Sequence, residues 1–279
     1  MATIGDKGIG NIFARLFQIN QTGNSGIDAT TRSVQTGDGV NTSLSLSDDV
    51  LLVKPQNDNT TGTLDVQNKT GSSILKVDTT NSKILGGAGQ VALNTQYAHF
   101  GISAYDAYWD DAVDDTHYAI PFMSAFSNLS SGVAISDFAM GSATSSSFND
   151  TNPSTSLTIS TTAAGVIQAY WYVMDNITID AVKWFHSADA SSGSTTAAHL
   201  MAYTADFANG STSGDLSSGV VVADGSNITN AGYEQMYYQS MTIQSANVDA
   251  GKVILFTFAY DDTEATDWSI SATVKFHLR

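Results

Sequence analysis

The clearest pattern in the chain lies near its C-terminus. Trp268, Ile270, Ala272, Val274, Phe276 and Leu278 alternate with Ser269, Ser271, Thr273, Lys275 and His277. A period of two puts the first set on one face of a strand and the second on the other. Further strands are predicted over residues 97–104, 117–126, 134–139, 156–160, 165–173, 176–186, 199–207, 219–222, 234–243 and 252–260. The loops between them are rich in Ser, Gly, Asn and Asp, as at 188–197 and 209–218. About ten strands with polar connections and no helical periodicity predict an all-β, jelly-roll-like β-sandwich head over residues 96–279.

Residues 41–95 carry a different, repetitive pattern. An L-x-V unit occurs at Leu51–Val53, at Leu64–Val66 and at Leu75–Val77, and Ile84-Leu85 follows about one period later. Turn-forming runs separate the units: Asn57-Asp58-Asn59-Thr60-Thr61-Gly62, Asn68-Lys69-Thr70-Gly71 and Asp78-Thr79-Thr80-Asn81. In each unit Leu and Val face one side and the middle residue the other. Short strands at this spacing predict the rungs of a stacked β stem. The segment holds fifteen Val, Ile or Leu and no aromatic residue, too little apolar bulk to offset the entropy of ordering it alone. Leu51, Val53, Leu64, Val66, Leu75 and Val77 are therefore expected to form a core shared between copies of the chain, as an intertwined homotrimer.

The first twenty residues carry a helical signal. Ile9, Ile12, Phe13, Leu16 and Phe17 recur at i, i+3, i+4, i+7 and i+8, the apolar stripe of a short amphipathic helix. Such a helix is marginal in water and needs a surface, either its own chain or a partner. Residues 1–40 are read as the attachment segment, with the five stripe residues as its contact.

Charge divides the chain at the same place. Residues 1–95 hold seven Lys or Arg and eight Asp, a net of −1, out of 11 basic and 27 acidic residues in all. Residues 96–279 hold the remaining four basic and 27 − 8 = 19 acidic residues, a net of −15. Only Phe13 and Phe17 of the 27 aromatic residues precede Tyr97. A net charge of −16 argues against nucleic acid, which binds basic surfaces, and against an anionic membrane. No apolar run reaches the 18 residues of a membrane span, so membrane insertion is not expected. The N-terminal twenty residues also lack the continuous apolar core of a secretory signal. With no cysteine, disulfides, thiolate nucleophiles and Cys-based zinc sites are excluded.

No motif carries catalytic chemistry. There is no G-x-S-x-G elbow, and His99, His117, His186, His199 and His277 are scattered singly. The run Gly86-Gly87-Ala88-Gly89 lacks the Lys-Ser/Thr of a phosphate loop. Asp106, Asp110, Asp111, Asp114 and Asp115 do not follow the calcium-loop spacing and read as a solvated loop, as do Asp261, Asp262, Glu264 and Asp267. No spacing pairs two carboxylates for glycoside hydrolysis. Neither a catalytic residue, a metal nor a cofactor is expected. Tyr105, Tyr108 and Trp109 stand out because they sit in an Asp-rich, loop-like stretch. They either cap the sandwich or a subunit seam, or form a receptor-binding surface. Trp171, Trp184 and Trp268 sit in strand patterns and are expected in the core.

A short anchor, a repetitive stem and a larger β head resemble the fibre-like virion proteins of marine tailed bacteriophages, the tail fibres, head fibres and capsid decoration proteins. The stem segment 63–85, with its L-x-V units and Asn/Asp/Gly turns, carries the likeness, which spans residues 34–95 and, more loosely, 1–33. The resemblance implies a homotrimeric, non-enzymatic protein on the virion surface. Its N-terminus would hold capsid or tail proteins and its head would meet a host glycan or protein. A carbohydrate-binding adhesin module and a polysaccharide depolymerase are the alternative readings.

Overall fold

The computed structural model describes residues 17–20, 27–102, 116–122, 138–140, 153–158, 167–188, 193–208, 210, 212–231, 235–261 and 268–279. The chain divides into two compact units, Met1–Asn94 and Thr95–Arg279. All regular structure among the described residues is β, apart from 3₁₀ residues at 138 and at 167–169.

The first unit holds two four-stranded antiparallel meanders. One comprises β1 (Phe17–Ile19), β2 (Arg32–Thr36), β3 (Asn41–Leu46) and β4 (Leu51–Val53) in sequential order. The other comprises β5 (Leu64–Gln67), β6 (Ser73–Asp78), β7 (Lys83–Gly86) and β8 (Val91–Ala92), again in order. The Asn and Asp side chains close the turns as their chemistry predicts. Asn68 Oδ1 accepts the Thr70 and Ser72 amides at 3.0 and 2.9 Å. Asp78 Oδ1 accepts the Asn81 amide at 2.9 Å. Gly71 takes the left-handed φ of +87° that the first of these turns requires.

The N-terminal helix is corrected at its last position. Phe17 is strand, paired antiparallel with Thr36, and is 74 % exposed. Ladder bonds to β2 satisfy its backbone where the helical stripe would have used its own turn. Ile9, Ile12, Phe13 and Leu16 lie outside the described residues.

The second unit is two antiparallel sheets packed face to face. Its strands are β9 (Thr95–Ile102), β10 (Tyr118–Ile120), β11 (Trp171–Tyr172), β12 (Ile177–Ala188), β13 (Thr195–Ala205), β14 (Leu216–Asp224), β15 (Ile228–Thr229), β16 (Gln235–Ser240), β17 (Thr242–Ile243), β18 (Asn247–Val248), β19 (Lys252–Tyr260) and β20 (Trp268–Leu278). The five-stranded sheet runs β16-β12-β20-β9, with β18 also on β12. The seven-stranded sheet runs β10-β19-β13-β14-β17, with β11 on β19 and β15 on β13. Aromatic rings join the sheets: Phe258 meets Trp268 at 5.1 Å, Phe256 meets Phe100 at 6.0 Å, and Trp184 meets both phenylalanines. Trp171, Trp184 and Trp268 are all buried.

The two sheets differ in how they are covered. Every residue from Val253 to Tyr260 on β19 is buried, as is every residue from Thr196 to Tyr203 on β13. These two strands are therefore enclosed on both faces, which the run Val-Ile-Leu-Phe-Thr-Phe-Ala-Tyr suits. On β12 and β20 burial alternates instead, so the five-stranded sheet has one packed face and one open one.

Candidate functional site

The open face is built by cross-strand register. Lys183 on β12 lies between Ser240 of β16 and Thr273 of β20, and Thr273 is next to His99 of β9. The neighbouring row reads Tyr238, Phe185, Ser271 and Gly101. Phe185 and Tyr238 hold their rings 5.0 Å apart, and the Lys183 ammonium stands 5.5 Å from the Tyr238 ring centroid. That ammonium, with the Ser240 hydroxyl 3.1 Å from the phenol oxygen, holds the pKa of the Tyr238 hydroxyl below its ordinary value. The His99 Nδ1 is 3.1 Å from Thr273 Oγ1. Lys275 lies one strand over and two residues along from Lys183, opposite Tyr97.

Directly behind this face, the inward side chains form an aromatic stack. His186 lies between Trp184, at 4.7 Å, and Tyr237, at 5.1 Å. Its Nε2 donates to Asn230 Oδ1 at 3.0 Å, an acceptor-only oxygen that fixes the tautomer. Burial drives the pKa of His186 down to about 4, against a smaller opposing pull from Asn230. His199, on β13, is likewise lowered to about 4 by burial, with its Nε2 3.2 Å from Asp224 Oδ1. Burial also raises the Asp224 carboxyl above its ordinary range.

An apolar cavity of about 370 Å³ opens elsewhere in the second unit, lined by Phe122, Trp171, Met174, Asp175 and Phe276 among others. Trp171 stacks on Phe122 at 5.7 Å and 6°. Its described lining holds one carboxylate, Asp175, whereas glycoside hydrolysis uses a facing pair. Among the described residues no three His, Asp or Glu side chains converge as metal ligands, and no helix is long and apolar enough to cross a membrane.

In the first unit the L-x-V residues are all on strands. Leu64 pairs with Val77 and Val66 with Leu75, which puts these four side chains on one face of β5 and β6. Leu51 and Val53 belong to the other meander, opposite Leu46 and Leu44. No described apolar residue of the first unit is buried. Leu51 is 65 % exposed, Val66 45 % and Leu64 38 %.

Tyr105, Tyr108 and Trp109 lie outside the described residues, as do Asp106, Asp110, Asp111, Asp114 and Asp115. Asp261 accepts the Thr195 amide at 2.6 Å. Sequence reasoning did not single out Lys183, Phe185 and Tyr238. The only signal was the outward parity of Lys275 on β20, because strand pairing alone assembles the group.

No family model matches the chain, and no curated protein matches it.

Proposed function

We propose that the protein is a non-enzymatic virion structural protein, a homotrimeric fibre-like or decoration protein. Its first unit acts as the stem and its second as an attachment head. The observation that carries this reading is the first unit's lack of any buried apolar side chain among its described residues. Two single-layer sheets that leave Leu51, Leu64 and Val66 half-open have no core of their own, and apolar area of this kind drives association. Copies of the same chain supply the cover most simply, since a net charge of −1 over residues 1–95 puts little repulsion between them. The virion setting rests on the resemblance of segment 63–85 to phage fibre stems. Repeated crossing of successive strands between the two sheets suits a jelly-roll-like head.

Sedimentation velocity of the full chain at micromolar concentration tests the proposal. A species of three chains is expected, and a folded single chain that persists on dilution overturns it.

A further inference from the structure

We propose that the open face of the five-stranded sheet binds an anionic polysaccharide, one whose sugars carry carboxylate or sulfate groups. The inference deepens, and rests on, the reading of the second unit as an attachment head.

Charge is the first observation. Residues 96–279 carry 19 acidic and only four basic residues. Two of those four, Lys183 and Lys275, share this face at neighbouring positions. The two complete cross-strand rows that run through Lys183 and Phe185 hold no carboxylate. Asp180, beside the Lys275 row, is turned onto His277 with its side chain only 13 % exposed. A unit with a net charge of −15 thus keeps one sheet face cationic, which selects an anionic partner.

Shape and chemistry narrow the class. Phe185 and Tyr238 are 37 % and 49 % exposed and present an apolar platform of the kind on which a sugar ring face stacks. Hydroxyl groups of Ser240, Ser271 and Thr273 occupy the adjoining positions and offer both donors and acceptors to a polyhydroxylated ligand. No arginine lies in these rows, so an anionic group would meet lysine ammonium as a point charge rather than a bidentate fork.

Affinity electrophoresis of the full-length protein through gels containing polygalacturonate, dextran sulfate or neutral dextran tests the proposal. Retardation is expected on one or both acidic polymers and not on dextran. Lys183→Gln/Lys275→Gln should weaken it at least tenfold, and Tyr238→Ala should weaken it with circular dichroism unchanged. The acidic polymer that retards assigns carboxylate or sulfate as the recognised group. Retardation on neither polymer, or equal retardation of the lysine double variant, overturns the inference. Sedimentation of the same preparation separates the two proposals. A trimer that binds neither polymer refutes this site alone, while a single chain that binds refutes the stem alone.

Discussion

Asp180 accepts a 2.9 Å hydrogen bond from His277 Nδ1 across the β12–β20 ladder, and both side chains are largely buried. The pairing register shifts between Ile179 and Ala181, leaving Asp180 as the extra residue of a bulge. The bulge thus turns a carboxylate onto the one outward position of β20 that is buried, His277. Removing one partner strands the other without its bond. Asp180→Ala is expected to cost about 2 kcal/mol in urea unfolding of the second unit. A change below about 0.5 kcal/mol, the level of a neutral surface substitution, would show that the bulge is held by backbone alone.

Gly219 leaves no room for a side chain. A Cβ there would lie 2.5 Å from Tyr203 Cε1 and 2.9 Å from Thr155 Cα. Tyr203 cannot yield easily, since it is fully buried and its hydroxyl donates to Ser154 O at 2.9 Å. Gly219→Ala is expected to destabilise by about 1–3 kcal/mol through overpacking. Gly210→Ala, with open space around its Cβ, is the control and should be near neutral. Equal melting of the two variants would contradict the packing described for β14.

Acid stability follows from His186 and His199. Each has an ordinary value of 6.5 and is lowered to about 4 in the folded chain by burial. Above pH 7 both forms are neutral and the groups contribute no slope. As pH falls from 6.5 toward 4 only the unfolded chain takes up the protons, so stability drops, by about 3 kcal/mol for each imidazole when the fall is complete. Urea midpoints measured between these pH values should therefore decline steeply, and His186→Gln should remove part of the decline. A flat profile over this window would mean that neither imidazole is shielded from water.

Self-association is expected to depend on the half-open Leu and Val side chains of β5 and β6. Val66→Asp places a charge on the face shared with Leu64, Leu75 and Val77, where burial in an interface would be costly. The variant should associate at least tenfold more weakly, with the circular dichroism of the second unit intact. Unchanged sedimentation would remove this face from the stem.

Salt should stabilise the proposed trimer. Bringing together heads with a net charge of −15 each concentrates like charge. Raising salt from about 0.01 M to about 1 M shortens the Debye length from about 30 Å to about 3 Å. Tm is expected to rise over that range. Equal melting at both ends would show that the acidic residues are too dispersed to repel one another.

Legibility varied with how local the determining physics was. The bounds of β19 and β20 were readable residue for residue, because eight successive buried positions and an unbroken period of two leave no other local solution. The two-residue strands β15 and β18 were not, since they pair where the longer strands allow it and carry no pattern of their own, and residues 234–243, read as one strand, hold two, β16 and β17. Residues 165–173 read as one strand, yet among the described residues 167–173 only Trp171 and Tyr172 belong to a strand, after the 3₁₀ turn. Phe17 fits a helical stripe by spacing alone, and its pairing with Thr36 decided otherwise. The Lys183–Tyr238 contact was invisible for a related reason. Nothing in either segment reports its register against the other, and the face exists only once β16 has docked on β12.

The contrast between the enclosed strands β13 and β19 and the half-open sheet carries an evolutionary consequence. A replacement on β19 disturbs packing on two sides at once, whereas Lys183, Phe185 and Tyr238 project from a scaffold whose reverse side alone is anchored. Lineages can therefore exchange those outward residues while the supporting architecture stays unaltered.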